Sequence, residues 1–137
     1  MTVPKPEKRE KKRKPLRKRG TSNRKKLVAE LDRVFSLYIR KRDGRCVLCG
    51  ATERLQCGHL FSRTAYSTRW HMANAHAQCA SHNCMHEHDA WPFYSWFIQK
   101  FGQEAFDNLH EIYATPRKYD NAEIEKMIYS FKGLLNA

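Results

Sequence analysis

The residues of this chain that can do chemistry are Cys46-Val-Leu-Cys49, His59, Asn74 and Cys79-Ala-Ser-His82-Asn83-Cys84. All five cysteines and six of the seven histidines fall within residues 46–88. A Cys-x2-Cys pair followed about thirty residues later by a second Cys/His pair has the spacing of a structural zinc site. Cys46, Cys49 and Cys79 are three ligands of it. The fourth is His82 by spacing, since Cys-x2-His suits a helix's first turn, or Cys84 by the softness of a thiolate. Four protein ligands close the shell and leave no position for substrate, so this zinc is structural, a staple for a small domain. Cys57 reads as a small buried residue in a strand.

A zinc staple does not need His59, Asn74 or Asn83. Phosphodiester cleavage needs these residue types. Neutral imidazole takes a proton from water near pH 7. A divalent cation polarises the phosphate and neutralises charge on the leaving oxygen. Mg²⁺ keeps several waters, so one or two protein oxygens suffice to hold it, and an Asn carbonyl on a helix facing the histidine qualifies. A second Asn ties down the connecting loop by hydrogen bonds and so fixes the histidine.

The elements that position these groups follow from periodicity. Leu27, Val28, Leu31, Val34, Phe35, Tyr38 and Ile39 repeat at helical spacing, with Ser22 or Asn23 as cap and Gly44 as stop. The basic end of that helix, Arg40-Lys41-Arg42, is placed either to touch phosphate or to complement the helix dipole. Residues 45–64 read as a zinc knuckle leading into a short β-hairpin, with Leu55, Cys57 and His59 alternating as in a strand. Residues 65–78 read as a connecting loop, and a helix begins near Cys79 with the second ligand pair on its first turn. Pro92 suits a first helical turn, and Trp91, Phe93, Trp96, Phe97 and Phe101 form an aromatic face that reads as core rather than as a base-stacking surface. Gly102 and Thr115-Pro116 are breaks. Asp120-Asn-Ala-Glu123 is a capping-box start for a last helix carrying Ile124, Met127, Ile128, Phe131 and Leu134. The fold class is therefore α+β: a small zinc-bound ββα core flanked by an N-terminal helix and C-terminal helices.

The 137 residues carry a formal charge of +12, unevenly placed. Residues 1–26 hold 13 Lys/Arg against 2 Glu, whereas residues 27–137 hold 13 Lys/Arg against 12 Asp/Glu. The chain reads as a disordered basic arm over 1–26 and one nearly neutral domain over 27–137. Such an arm attracts a polyanion in a salt-dependent manner without reading sequence. No apolar stretch follows it, so it does not read as a secretory signal. No window has the length of a membrane span. Five cysteines cannot all pair, which points to a reducing cytoplasm and metal-bound thiolates.

The order His…Asn…Cys-x2-(Cys/His)-Asn, interleaved with zinc pairs, resembles the HNH, or ββα-metal, nuclease motif on a treble-clef zinc scaffold. More closely, residues from about 27 to 137 are similar to the phage NinG family, also called Rap, structure-selective endonucleases that cut D-loops and Holliday junctions. The matching text is Leu31-Asp-Arg-Val-Phe-Ser-Leu-Tyr-Ile-Arg40, Cys46-Val-Leu-Cys49, Gly58-His59, Arg69-Trp70 before Asn74, Gln78-Cys79, His82-Asn83 and Gly102-Gln-Glu-Ala-Phe106. The basic arm lies outside it.

The resemblance implies that His59 is the general base, that Asn74 orients the loop and that Asn83 binds a catalytic Mg²⁺ or Mn²⁺. The family's second zinc pair is usually Cys-x2-Cys followed at once by Asn. Taking His82 rather than Cys84 as fourth ligand keeps Asn83 in that register. Related junction nucleases place an acidic metal ligand before the base, where this chain has Gly58. The missing oxygen then comes from Asp89, Glu87 or a backbone carbonyl; His86 and His88 assist, as histidines on the same helix do in some HNH enzymes, and His59 is a further cofactor-binding residue. Arg63 and Arg69 are candidate phosphate clamps. The expected partner is DNA, preferably branched, with the arm on its phosphates. Two symmetric cuts imply a homodimer, with the apolar C-terminal helices as interface. For a phage-encoded chain the setting is the bacterial host cytoplasm. A non-catalytic zinc module that binds nucleic acid is the competing reading.

Overall fold

The computed structural model describes residues 22–137. Most of the basic arm lies outside the described residues. Its last four, Asn23–Lys26, are the first turn of helix α1 (Asn23–Asp43) rather than a separate arm. The Ser22 side chain caps that turn by accepting the Lys25 N–H at 3.3 Å. Gly44, at φ 69°, ends the helix in the left-handed conformation and returns its N–H to Arg40 O at 2.9 Å. Leu31, Val34, Phe35 and Ile39 form the buried stripe.

The sheet is one antiparallel pair, β1 (Leu55–His59) and β2 (Ala75–Cys79), in register from Leu55 opposite Cys79 to His59 opposite Ala75. Its second strand lies in the stretch expected as loop, so the pair is not a short hairpin within 45–64. The reason is local: Ala-His-Ala-Gln-Cys has no β-branched or bulky apolar residue to signal a strand. The side chains of Ala75, His76, Ala77 and Gln78 are nonetheless all buried, because helices cover both faces. The connection holds a one-turn helix α2 (Tyr66–Arg69) and a 3₁₀ turn, Met72–Asn74.

Helix α3 (Ala80–His86) follows β2 directly, with Cys79 as its cap. Helix α4 (Trp91–Phe101) has proline in its first turn and stops at Gly102, φ 93°. Helix α5 (Gln103–Ala114) runs to Thr115. Helix α6 (Asn121–Leu135) starts with the capping box of Asp120 and Glu123.

Two apolar cores flank the strand pair. Leu31, Val34, Phe35 and Ile39 of α1 pack with Trp70, Ala75 and with Ile124, Ile128 and Phe131 of α6. Leu60 and Phe61, just past β1, pack with Phe93, Phe97 and Leu109 of α4 and α5. The stripe of α6 expected at a dimer interface is thus spent within the chain. The aromatic face of α4 also divides: Phe93 and Phe97 are buried, whereas Trp91 is 66% and Phe101 49% exposed. Trp91 precedes Phe93 by two residues, about 200° around a helix, and so points away from the core. No described helix is long and apolar enough to cross a membrane.

Candidate zinc centre and catalytic cleft

Cys46 and Cys49 sit on the turn before β1, where Cys46 N–H bonds Ala51 O at 2.8 Å and Gly50 N–H returns to Cys46 O at 2.8 Å. Gly50 takes φ 76°, which closes this turn at little steric cost. Cys79 and His82 lie at the cap and first turn of α3. The four ligand atoms all fall within 4.8 Å of one another. Cys46 Sγ stands 3.7 Å from His82 Nδ1, Cys49 Sγ 3.9 Å from Cys79 Sγ, and Cys79 Sγ 3.1 Å from His82 Nδ1. These separations bracket the roughly 3.6–3.8 Å edge of a tetrahedron with ligand bonds of about 2.1–2.3 Å. The three-thiol, one-imidazole set fits Zn²⁺, with His82 as fourth ligand. Cys84, exposed one turn on, is not among the clustered residues, so the thiolate alternative is set aside.

The electrostatics around Cys46 suit a metal thiolate. Burial opposes its ionisation, yet the backbone N–H groups of Cys79, Cys49 and Leu48 bring the thiol down to about 7. Cys57 behaves in the opposite way: burial pushes its thiol up to about 12, an inert core residue.

His59, at the end of β1, faces an open cleft that Asn83 and His86 of α3 and its C-cap residue Glu87 also line. His59 Nε2 stands 3.0 Å from Arg69 O. A carbonyl only accepts, so Nε2 carries the proton and Nδ1 holds the free lone pair. Burial holds the His59 pKa below the usual imidazole value, which keeps the ring neutral at pH 7.

Asn74 is fully buried. Its Oδ1 accepts the Phe61 N–H at 2.9 Å, and its Nδ2 donates to Phe61 O at 3.0 Å and Thr68 O at 3.1 Å. Leu60 N–H bonds Asn74 O at 2.7 Å. Asn74 thereby clips the segment after His59 to the segment carrying Arg69. It positions and does not face the cleft.

Asn83, His86 and the C-cap Glu87, which keeps helical backbone angles, stand at i, i+3 and i+4 and share one face. Asn83 Nδ2 donates to Gln56 Oε1 at 2.8 Å, and Oδ1 has no hydrogen bond among the described residues. His86 Nε2 donates to Leu60 O at 2.9 Å, and its buried Nδ1 has no partner. Asn83 Oδ1 and the Glu87 carboxylate are hard oxygen donors, whereas the His86 imidazole is a softer nitrogen donor. Apart from the zinc set, no three Cys, His, Asp or Glu among the described residues converge on a common point. Asp89 is exposed, accepts the Trp91 N–H at 3.1 Å and does not line the cleft, so the α3-side carboxylate there is Glu87. The exposed His88 does not line it either.

The basic candidates divide in the same way. Arg69 is held by Asp32, through Nε to Oδ1 at 2.9 Å and a second guanidinium nitrogen to Oδ2 at 2.6 Å. Arg42 donates to Met72 O at 2.9 Å and Ala75 O at 2.8 Å, and Lys41 to Leu135 O at 2.8 Å. Both are structural fasteners. Arg40 and the exposed Arg63 line the cleft and are the cations there. His76 is buried among Phe93, Trp96, Phe97 and Phe101. Sequence reasoning missed Gln56 as the partner of Asn83 and Asp32 as the anchor of Arg69; strand alternation and the apolar helix stripe gave no sign of either pairing.

Comparison with curated proteins and with solved structures finds no match. A family model described as the bacteriophage lambda NinG protein matches residues 3–137. The match takes in the basic arm, which the motif text alone placed outside. The chain belongs to the family of the bacteriophage lambda NinG protein.

Proposed function

We propose that this chain is a metal-dependent DNA endonuclease of the HNH, ββα-metal type, acting on branched recombination intermediates such as Holliday junctions and D-loops. The observation that carries the reading is His59: a half-buried imidazole, held neutral, its proton fixed on Nε2, in one cleft with Asn83, His86 and Glu87. A zinc-stapled binding module has no use for that arrangement. The succession of β1, β2 and α3 around the zinc set supports a treble-clef scaffold.

In this mechanism His59 Nδ1 takes a proton from water. The water oxygen attacks phosphorus, and the bond to the leaving oxygen breaks. Asn83 Oδ1 and the Glu87 carboxylate would hold the divalent ion, whose chemistry is to polarise the phosphate and offset charge on the leaving oxygen. Arg69 O, fixed by Asp32 and Asn74, holds the His59 ring in its tautomer. Arg40 and Arg63 supply positive charge for the phosphates, and the basic arm adds salt-dependent affinity. Paired cuts call for a homodimer. Its interface is not the Ile124, Ile128 and Phe131 stripe, which α1 covers.

A second reading, a non-catalytic zinc module that binds nucleic acid, draws on the lack of a second convergent Cys/His/Asp/Glu set among the described residues. The test is cleavage of an immobile four-way junction beside a linear duplex of matched sequence, by zinc-loaded protein in Mg²⁺ or Mn²⁺. Cutting of the junction with the duplex spared is expected. No cutting of either substrate with either metal overturns the enzyme and leaves the module.

A further inference from the structure

We propose that the aromatic side of the cleft, headed by Trp91, stacks on an unpaired nucleobase of the DNA strand whose phosphate lies at His59. The location of that phosphate rests on the nuclease reading; the stacking itself does not require cleavage.

The cleft, about 1260 Å³, is lined by two chemically distinct sets of residues. One holds His59, Arg40 and Arg63. The other comes from α4 and α5, with Trp91, Tyr94 and Ile98 from one helix and His110 and Tyr113 from the other. His86 joins the two: it donates to Leu60 O, next to His59, and its ring lies 5.7 Å from that of Tyr94. Trp91 and Tyr94 are three residues apart on α4 and so share a face.

Trp91 is 66% exposed, whereas Trp70 is 4% exposed. An indole left in water costs solubility and contributes nothing to either core. Its backbone is nevertheless fixed, at the first turn of α4 beside Pro92, with its N–H on Asp89 Oδ1. A rigid element therefore presents the ring to the cleft. The lining residues of α4 and α5 include no carboxylate that would repel a nucleic-acid strand.

A nucleobase fits the aromatic side better than an apolar peptide, because Arg40 and Arg63 line the same cleft and suit the phosphates of its strand. Every base has a π-face, so stacking tolerates any sequence. In an intact duplex both faces of each base are covered by neighbours. Only a base at a branch, gap or frayed end offers one. The aromatic side thus gives a chemical reason for choosing branched over linear DNA, with Trp91 as the specificity-determining residue.

The test uses the full-length, zinc-loaded chain without added divalent ion, so that nothing is cut. The probes are a forked DNA with 2-aminopurine unpaired at the branch and a duplex with 2-aminopurine paired. Wild type should quench the fork's fluorescence and bind the fork more tightly than the duplex. Trp91→Ala should abolish the quenching and lower the fork-to-duplex affinity ratio about tenfold, within the 5- to 150-fold range of a lost base–aromatic stack. Trp91→Tyr should restore most of both. Unchanged quenching in Trp91→Ala, or equal loss of fork and duplex affinity, overturns the proposal. Quenching that depends on Trp91 in a protein that never cuts DNA sustains the stacking and removes the nuclease. Cleavage without such quenching does the reverse.

Discussion

Asp32 and Arg69, 37 residues apart, form a bidentate ion pair, and the backbone carbonyl of the same Arg69 holds His59 Nε2 at 3.0 Å. Asp32 Oδ1 also accepts the indole N–H of Trp70 at 2.9 Å. Burial works against ionisation of Asp32, but the bonds from Arg69 and Trp70 outweigh it and lower its pKa. The helix α1 is thereby fastened to the one-turn helix α2 that supports His59. Two stretches of family-like text, Leu31-Asp-Arg-Val and Arg69-Trp70, meet at this one contact.

Asp32→Ala should therefore act on His59 without touching it. It leaves a partly buried guanidinium and an indole N–H unpartnered, which costs about 1–3 kcal/mol of stability. Cleavage should fall at least tenfold even where the protein is fully folded. Thermal unfolding and single-turnover rates, measured side by side, check both parts. A loss of stability with an unchanged rate would show that the contact only holds the fold.

The zinc assignment predicts one zinc per chain. His82→Ala and Cys79→Ser should each lose the metal and unfold, because binding energy here is folding energy. Cys84→Ser should keep both zinc and the native melting temperature. Zinc retained by His82→Ala but lost from Cys84→Ser would return the fourth position to the thiolate.

His76 predicts acid sensitivity. Burial among aromatic rings lowers its pKa to about 4 from an ordinary 6.5. With the folded value below the unfolded one, the unfolded chain takes the proton first. Stability from this site is complete above about 6.5 and drains as pH falls towards 4, at most about 3 kcal/mol in all. Denaturant unfolding between pH 7 and 4 should be steeper for wild type than for His76→Leu. Parallel slopes for the two proteins would refute this.

Gly58 predicts a compensating pair. A Cβ there would lie 2.2 Å from Oε1 and 2.7 Å from Cδ of Gln78, whose side chain is fully buried on the neighbouring strand. Gly58→Ala should destabilise by about 1–3 kcal/mol through overpacking. Gln78→Ala should recover part of that loss, since it frees the space and removes two unpartnered buried polar atoms. Additive destabilisation in the double variant would contradict the steric account.

Much of this was legible because it is local. Ser22 and Gly44 bound α1, and Asp120 with Glu123 opens α6, since capping depends on residues within one turn. The zinc set was legible through spacing, and the register of Asn83 correctly favoured His82. What was not legible depends on distant partners. β2 has no strand-forming composition and is a strand because helices cover it. Arg69 read as a phosphate clamp because nothing near it in sequence reveals Asp32. Trp91 read as core because it was grouped with the aromatic run of α4, although it stands about 200° around the helix from Phe93 and so falls on the other face.

The central claim is that His59 is the base. The most direct measurement is single-turnover cleavage of the four-way junction across pH 4.5–8 by zinc-loaded wild type and His59→Ala. The account predicts a wild-type rate whose acid limb lies below the ordinary imidazole value of 6.5, as burial of His59 requires. It predicts a loss of at least about a hundredfold in the variant, with zinc content and melting temperature kept. A His59→Ala protein that is folded, zinc-loaded and still cuts junctions near the wild-type rate would contradict it.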